Sequence, residues 1–305
     1  MKAKMISGNG QIKFLPKRRT KVESRDEMNA VTHNVWLKVV GYIAMLIALL
    51  LILIPIYWIV IASFKTQGDI YTSPATYWPN PWTIENYQTV REDLAFGAYL
   101  RNSIIITVVL STIKIILGVA SAYALALLRF PGRNLVFMLI IASLMVPSQI
   151  TLISNYSLIA NLGLRNTFIG IILPLAGTAF GTFLMRNHFL SLPKEVIESA
   201  RMDGAGPLKL LFRIVLPMSW STLSAFALIT IVNDWNEYLW PFLMSDDEAT
   251  APLQIGLTFL QNNEGLTNWG PVMAGTVLAV IPVLIVFLLL QKNMIKGLTS
   301  GAVKG

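Results

Sequence analysis

Six stretches of this chain run about twenty residues or more with almost no charge. They cover residues 39–64, 102–128, 134–164, 166–185, 214–233 and 265–291, and only Lys114 interrupts any of them. Each approaches or exceeds the roughly 20 residues that a helix rising about 1.5 Å per residue needs to cross a hydrocarbon core of about 30 Å. The runs are continuous rather than alternating, which favours helices over a barrel, because in lipid the backbone must satisfy its own hydrogen bonds. Charged residues make up 13% of the chain, about half the roughly 25% of a soluble domain. The expected fold is an all-α membrane protein with six transmembrane helices, locally kinked at Pro55, Pro147, Pro174 and Pro282.

Charge sets the expected orientation. The first 38 residues hold nine Lys/Arg, the turn with Arg129 and Arg133 two, segment 186–213 five and the tail after 291 three. These segments are assigned to the cytoplasm. The alternate connections hold Lys65, Arg91, Arg101 and Arg165 together with Asp69, Glu85, Glu92, Asp93, Asp246, Asp247, Glu248 and Glu264, and face outward. Both termini are then cytoplasmic, which suits an even number of crossings. Basic residues beside anionic lipid account for the net charge of +8 without a nucleic-acid partner. The domain reading is a flexible basic tail over 1–38, a membrane domain over 39–291 and a short cytoplasmic tail over 292–305.

Several chemistries find no support. The chain has no GxxxxGK[ST] phosphate cradle and no nucleophile elbow. Its two histidines, His33 and His188, are not at metal-ligand spacing, and with zero cysteines it has no thiolate site. No catalytic residue, bound cofactor or metal is therefore assigned, and the chain is read as a non-enzyme. An ion-coupled carrier needs ionisable groups near mid-depth. Lys114 is read as alone there, with Glu237 about 10 Å shallower by helix rise, in a structural role or on a pathway.

The informative interruption is "EVIESARMDGAGPLKLLFRIVLP", residues 195–217. Pro193 suits a first helical turn and Glu195 its positive end. The helix is expected to run to about Asp203 and to stop at Gly204, which can turn left-handed. Barely three turns long, it is marginal alone and must pack on something. Val196, Ile197 and Ala200 share one side, while Glu198 and Arg201 are spaced i,i+3 on another. A second short helix, Leu208 to Phe212, follows Gly206-Pro207 and leads into the fifth run. The whole forms a mechanical elbow; the plainer alternative is a helix lying in the membrane interface.

This segment resembles the EAA loop of permease subunits of binding-protein-dependent ATP-binding-cassette importers. Glu198, Ala200, Asp203, Gly204, Ala205, Leu216 and Pro217 fall on that pattern, and Ser199 replaces its middle alanine. "SFK" at 63–65, "TIENY" at 83–87, "NS" at 102–103, "NDWNEYLWPF" at 233–242 and "KGLTSGAVKG" at 296–305 resemble the sugar-importing, maltose-type branch. The resemblance implies a cytoplasmic coupling helix in the loop 193–217, between the fourth and fifth spans, docking on an ATPase through Glu198, Ser199, Ala200, Asp203, Gly204 and Ala205. It also implies two ATPase subunits that hydrolyse ATP, a second homologous permease, an extracytoplasmic solute-binding protein and a bacterial or archaeal cytoplasmic membrane. The cargo would be a sugar, oligosaccharide or polyol.

In the fifth span Asn233, Asn236, Glu237 and Trp240 would share one helical face. They either line the solute path, with amides for hydroxyls and rings for sugar faces, or belong to an interfacial aromatic belt and its packing. The long outer connection over 65–101 either receives the binding protein or caps the outer end.

Overall fold

The computed structural model describes the backbone of residues 5–6, 12–13, 21–92, 94–261 and 267–302, with side chains over 35–292 of these except Ser148. Parts of the expected N-terminal tail (1–4, 7–11 and 14–20), Asp93, Glu264, residues 303–305, and the side chains of 1–34 and 293–305 lie outside the described residues. A two-residue antiparallel pairing, β1 (Met5–Ile6) with β2 (Ile12–Lys13), is the one strand pair among them; the rest of the architecture is helical.

The chain divides into two units, Met1–Trp58 and Ile59–Gly305. The first is dominated by α1 (Lys21–Ala62), which starts well inside the expected tail and carries Pro55 within it. Residues 35–57 of α1 are exposed, as a helix facing lipid requires.

The second unit is built around α4 (Phe96–Leu127), a 32-residue helix. Before it come α2 (Gln67–Ile70) and α3 (Glu85–Glu92) of the outer connection. After it come α5 (Arg133–Ser143) and α6 (Ser148–Asn161), then α7 (Phe168–Leu175) and α8 (Ala179–Ser191), bent by 46° at their junction. Next is α9 (Lys194–Met202), followed by α10 (Pro207–Leu210), a π-helical segment Leu211–Val215 and α11 (Leu216–Met218). An 83° bend at Ser219 leads to α12 (Trp220–Trp235). Then α13 (Leu239–Met244), α14 (Leu253–Phe259) and α15 (Trp269–Ala302) complete the unit.

Among the described residues three helices are long and apolar enough to span a bilayer, and up to five segments qualify when each bent pair is taken as one span. The run 134–164 differs from expectation: it is split into α5 and α6, of 11 and 14 residues. Pro147 causes this, since it offers no amide N–H to the preceding turn and takes the extended conformation that starts α6. The other prolines behave differently from one another. Pro55 and Pro282 sit inside helices, while Pro174 lies at the end of α7 just before the bend.

Close packing of α4 on α8 depends on glycine. Phe226 of α12 lies over both helices, and a Cβ added to Gly118 or Gly181 would sit 2.9 and 2.1 Å from its Cζ. Ser121 and Thr182 hydroxyls meet across the same seam at 2.6 Å.

Motif segments far apart in sequence are fastened to one another. Asn86 Nδ2 donates to the Ser63 and Lys65 carbonyls at 2.9 and 2.8 Å, and Tyr87 meets Ser63 at 2.8 Å. Buried Lys65 donates to both oxygens of Thr76, whose hydroxyl donates to Asp69. Asn102 donates to the Glu248 and Ala251 carbonyls, and Ser103 Oγ accepts from Leu253 N–H at 2.7 Å.

Candidate functional site

The elbow forms as its local sequence dictates. Pro193 precedes α9 in extended conformation, and Gly204, at φ +77°, ends it. Ala205 N–H reaches back to the Ala200 carbonyl at 3.0 Å and Gly204 N–H to the Arg201 carbonyl at 3.1 Å, the paired bonds of a glycine-terminated helix. Pro207 opens α10. Pro217 has no N–H to give the carbonyl one turn earlier, and the π-helical segment and the 83° bend flank it.

One face of the elbow is locked into the chain's own core. Ile197 and Ala200 of α9, with Leu210, Leu211 and Val215, are buried against Val119, Ala122, Tyr123 and Ala126 of α4 and Met185 and Phe189 of α8. Val196, expected on that face, is 39% exposed. Ala200, expected to be free for a partner, is 7% exposed and turned inward. Glu198, Ser199, Asp203 and Gly204 are exposed, and Ala205 is half-buried. Two residues unremarked in the sequence flank this surface: Met202 and Leu208, 82% and 71% exposed. Their signal was apolar bulk placed off the buried stripe.

Polar groups gather at the C-terminal end of α4, where helix carbonyls lack partners and carry partial negative charge. Arg201 donates to the Leu127 carbonyl at 2.8 Å, Arg133 to Leu128 at 3.3 Å and Arg186 to Leu125 at 3.4 Å. Tyr123 donates through its hydroxyl to the Pro207 carbonyl at 2.8 Å.

Midway along α4, Lys114 is not alone. Its Nζ lies 2.6 Å from Asp234 Oδ1, and Ser111 Oγ donates to Asp234 Oδ2 at 2.8 Å. With α12 starting at Trp220, Asp234 stands about 21 Å from its N-terminal end and Lys114 about 20 Å from the C-terminal end of α4.

The outer segment differs from the expected single face. Helix α12 stops at Trp235 and α13 begins at Leu239, so helical spacing does not carry across 236–238. Asn233 and Asn236 are exposed and Glu237 is half-buried. Asn236 donates to the Val232 carbonyl and Glu237 accepts from Trp240 N–H. Trp240 is 3% exposed, packed with Ile106, Leu110 and Ile171, and its indole N–H donates to the Gly170 and Ile171 carbonyls. It is packed as a core residue.

Residues 114–300 match the family model described as the inner membrane component of binding-protein-dependent transport systems. The sn-glycerol-3-phosphate transport system permease protein UgpE of Yersinia pestis is 36% identical over 266 residues, covering 85% of this chain and 95% of that protein. Its counterpart from Escherichia coli O1:K1 is 32% identical over 277 residues, with 88% and 99% covered. Among solved structures, a bacterial ABC transporter involved in import of the acidic polysaccharide alginate matches with TM-score 0.71 at 25% identity, covering 91% of this chain and 99% of that one. The same fold recurs at TM-score 0.62 in the alginate transporter complexed with an alginate pentasaccharide-bound periplasmic protein. The chain is thus a multi-pass membrane protein of the family of inner membrane components of binding-protein-dependent transport systems.

Proposed function

We propose that this chain is one permease subunit of an ATP-driven importer, and that the exposed face of its elbow is where a partner ATPase docks. The observation that carries this is the two-sidedness of α9. Its inner face is held in the chain's core, while Glu198, Ser199, Asp203 and Gly204 stay exposed beside the protruding Met202 and Leu208. A short helix held on one side and presenting acids, a glycine turn and two apolar side chains on the other suits a cleft in a second protein.

In this reading two ATPase subunits close on ATP and carry two elbows, one from this chain and one from a homologous permease or a second copy. The attached helices switch between outward-open and inward-open arrangements. An extracytoplasmic solute-binding protein delivers the cargo. The membrane is crossed six times, with α5 and α6 together making the third passage and both termini cytoplasmic. The solute is a sugar, oligosaccharide or polyol, phosphorylated or acidic forms included, in keeping with the cargo named for its relatives and structural neighbour. Asn233 and Asn236, exposed near the outer end of α12, are the residues placed to meet it.

The test is copurification. The full chain expressed with its neighbouring ATPase retains that subunit, and Glu198→Ala/Asp203→Ala lowers retention about tenfold or more, as loss of two interface carboxylates implies. Unchanged retention contradicts the docking assignment. A second reading, an ion-gradient-driven carrier, is favoured by one observation, the mid-membrane Lys114–Asp234 pair. Uptake in vesicles that follows an imposed ion gradient without ATP would select it.

A further inference from the structure

We infer that α4 is the lever which the docked elbow drives, and that Arg201 and Tyr123 are the positioning residues fastening one to the other. The inference rests on the proposed docking of the elbow and adds the route by which its displacement enters the membrane.

Both arms of the elbow are tied to the same helix. From the first arm, Arg201 of α9 donates to the Leu127 carbonyl at 2.8 Å. To the second arm, Tyr123 of α4 donates its hydroxyl to the Pro207 carbonyl at 2.8 Å. These bonds bracket the Gly204 turn, so the elbow cannot rotate about that turn without breaking one of them. Between them lies apolar packing: Ile197, Ala200 and Leu210 are buried against Ala122, Tyr123 and Ala126. Interiors packed this way shift as bodies rather than deform.

The covalent route is softer. From α10 the chain reaches α12 only through the π-helical Leu211–Val215, Pro217 and the 83° bend at Ser219, a place where helices flex. A push on the elbow therefore arrives first in α4. Some 20 Å further along, the Lys114–Asp234 bond at 2.6 Å passes it to α12. An intramembrane ion pair is costly to desolvate, and a load-transmitting contact between two spans gives this one a use.

The chain has no cysteine of its own, so labels can be placed at will in the full transporter with its ATPase. The exposed positions Leu117 on α4, Lys209 on α10 and Val280 on α15 accept spin labels as Leu117→Cys, Lys209→Cys and Val280→Cys. Between nucleotide-free and vanadate-trapped states, the 117–209 distance is expected to hold within about 2 Å while the 117–280 distance shifts by more. A 117–209 distance that changes as much as 117–280, or a 117–280 distance that does not change, overturns the inference.

Tyr123→Phe with Arg201→Met, neither of which keeps a donor, removes both ties and leaves the apolar packing. In that variant the population of the shifted 117–280 distance falls about tenfold at a retained rate of ATP hydrolysis, the scale of two lost hydrogen bonds. Arg201→Lys, which keeps a donor, restores part of it. Arg133→Met removes a cap from the same helix end that makes no hydrogen bond to the elbow and is expected to leave the shift intact. If Arg133→Met is equally damaging, or the double variant behaves as wild type, Arg201 and Tyr123 are mere helix caps and the inference falls. Failure of the wild-type chain to retain an ATPase sinks the proposed docking instead, which keeps the two claims separable.

Discussion

Lys114 Nζ and Asp234 Oδ1 stand 2.6 Å apart and join α4 to α12 in the middle of the bundle. Asp234 also accepts from Ser111, so its carboxylate has a charge and a hydroxyl as partners at 3% side-chain exposure. Removing one member of a buried pair strands the other charge, whereas removing both does not.

Asp234→Asn or Lys114→Met is accordingly expected to lower stability by about 3 kcal/mol, the low end for a buried pair because Lys114 keeps 18% side-chain exposure. Lys114→Met combined with Asp234→Leu returns most of it. Thermal unfolding in detergent of the two singles and the double measures the coupling; equal, additive losses would show that the charges do not sense each other.

Gly204 gives a cleaner probe of the elbow. Its φ of +77° disfavours a side chain, yet a Cβ there meets nothing within 4 Å in this chain. Gly204→Asn, tolerant of that conformation, is expected to cost about 1 kcal/mol or less of stability. Gly204→Asp should leave the chain folded and inserted while abolishing ATP-coupled uptake. Parallel measurement of membrane insertion and uptake checks this, and normal uptake with aspartate would show that the space beyond Gly204 stays open in the working complex.

The α4–α8 seam tolerates no added methyl. With Phe226 Cζ 2.1 Å and Thr178 Oγ1 2.6 Å from a Cβ built on Gly181, Gly181→Ala is expected to destabilise by about 1–3 kcal/mol through overpacking. Phe226→Leu in the same chain should relieve part of that loss. The melting temperatures of the two singles and the double reveal whether the clash is with Phe226.

Trp240 separates packing from solute contact. Its indole N–H serves the Gly170 and Ile171 carbonyls, so Trp240→Phe should cost about 1 kcal/mol of stability. Solute affinity should stay unchanged. A shift in apparent uptake affinity at equal stability would put the ring on the path after all.

These residues also mark what local sequence can and cannot reveal. The elbow was legible because its stops are local: Pro193 and Pro207 open helices, and Gly204 closes one with a left-handed residue. The uncharged runs were legible as membrane segments because composition alone sets their solvent. Pairings across helices were not. Asp234 borders an uncharged run and looks like its edge until the bend at Ser219 lowers it to the level of Lys114. Ala200 reads as partner-facing from the resemblance and Trp240 as facing with Asn233 by spacing; the first turns inward on a helix whose apolar stripe is narrow, the second follows a break in the helix at 236–238. The split of 134–164 at Pro147 was legible as a kink and not as two helices, since proline alone does not say how far the backbone departs.

Docking of the elbow is tested most directly by a single cysteine on its exposed face. Ser199→Cys, in a chain otherwise free of cysteine, is expected to react with a membrane-impermeant maleimide only from the cytoplasmic side and to be shielded when the ATPase subunits are bound. Labelling from the outer face, or labelling equal with and without the ATPase, would contradict the account.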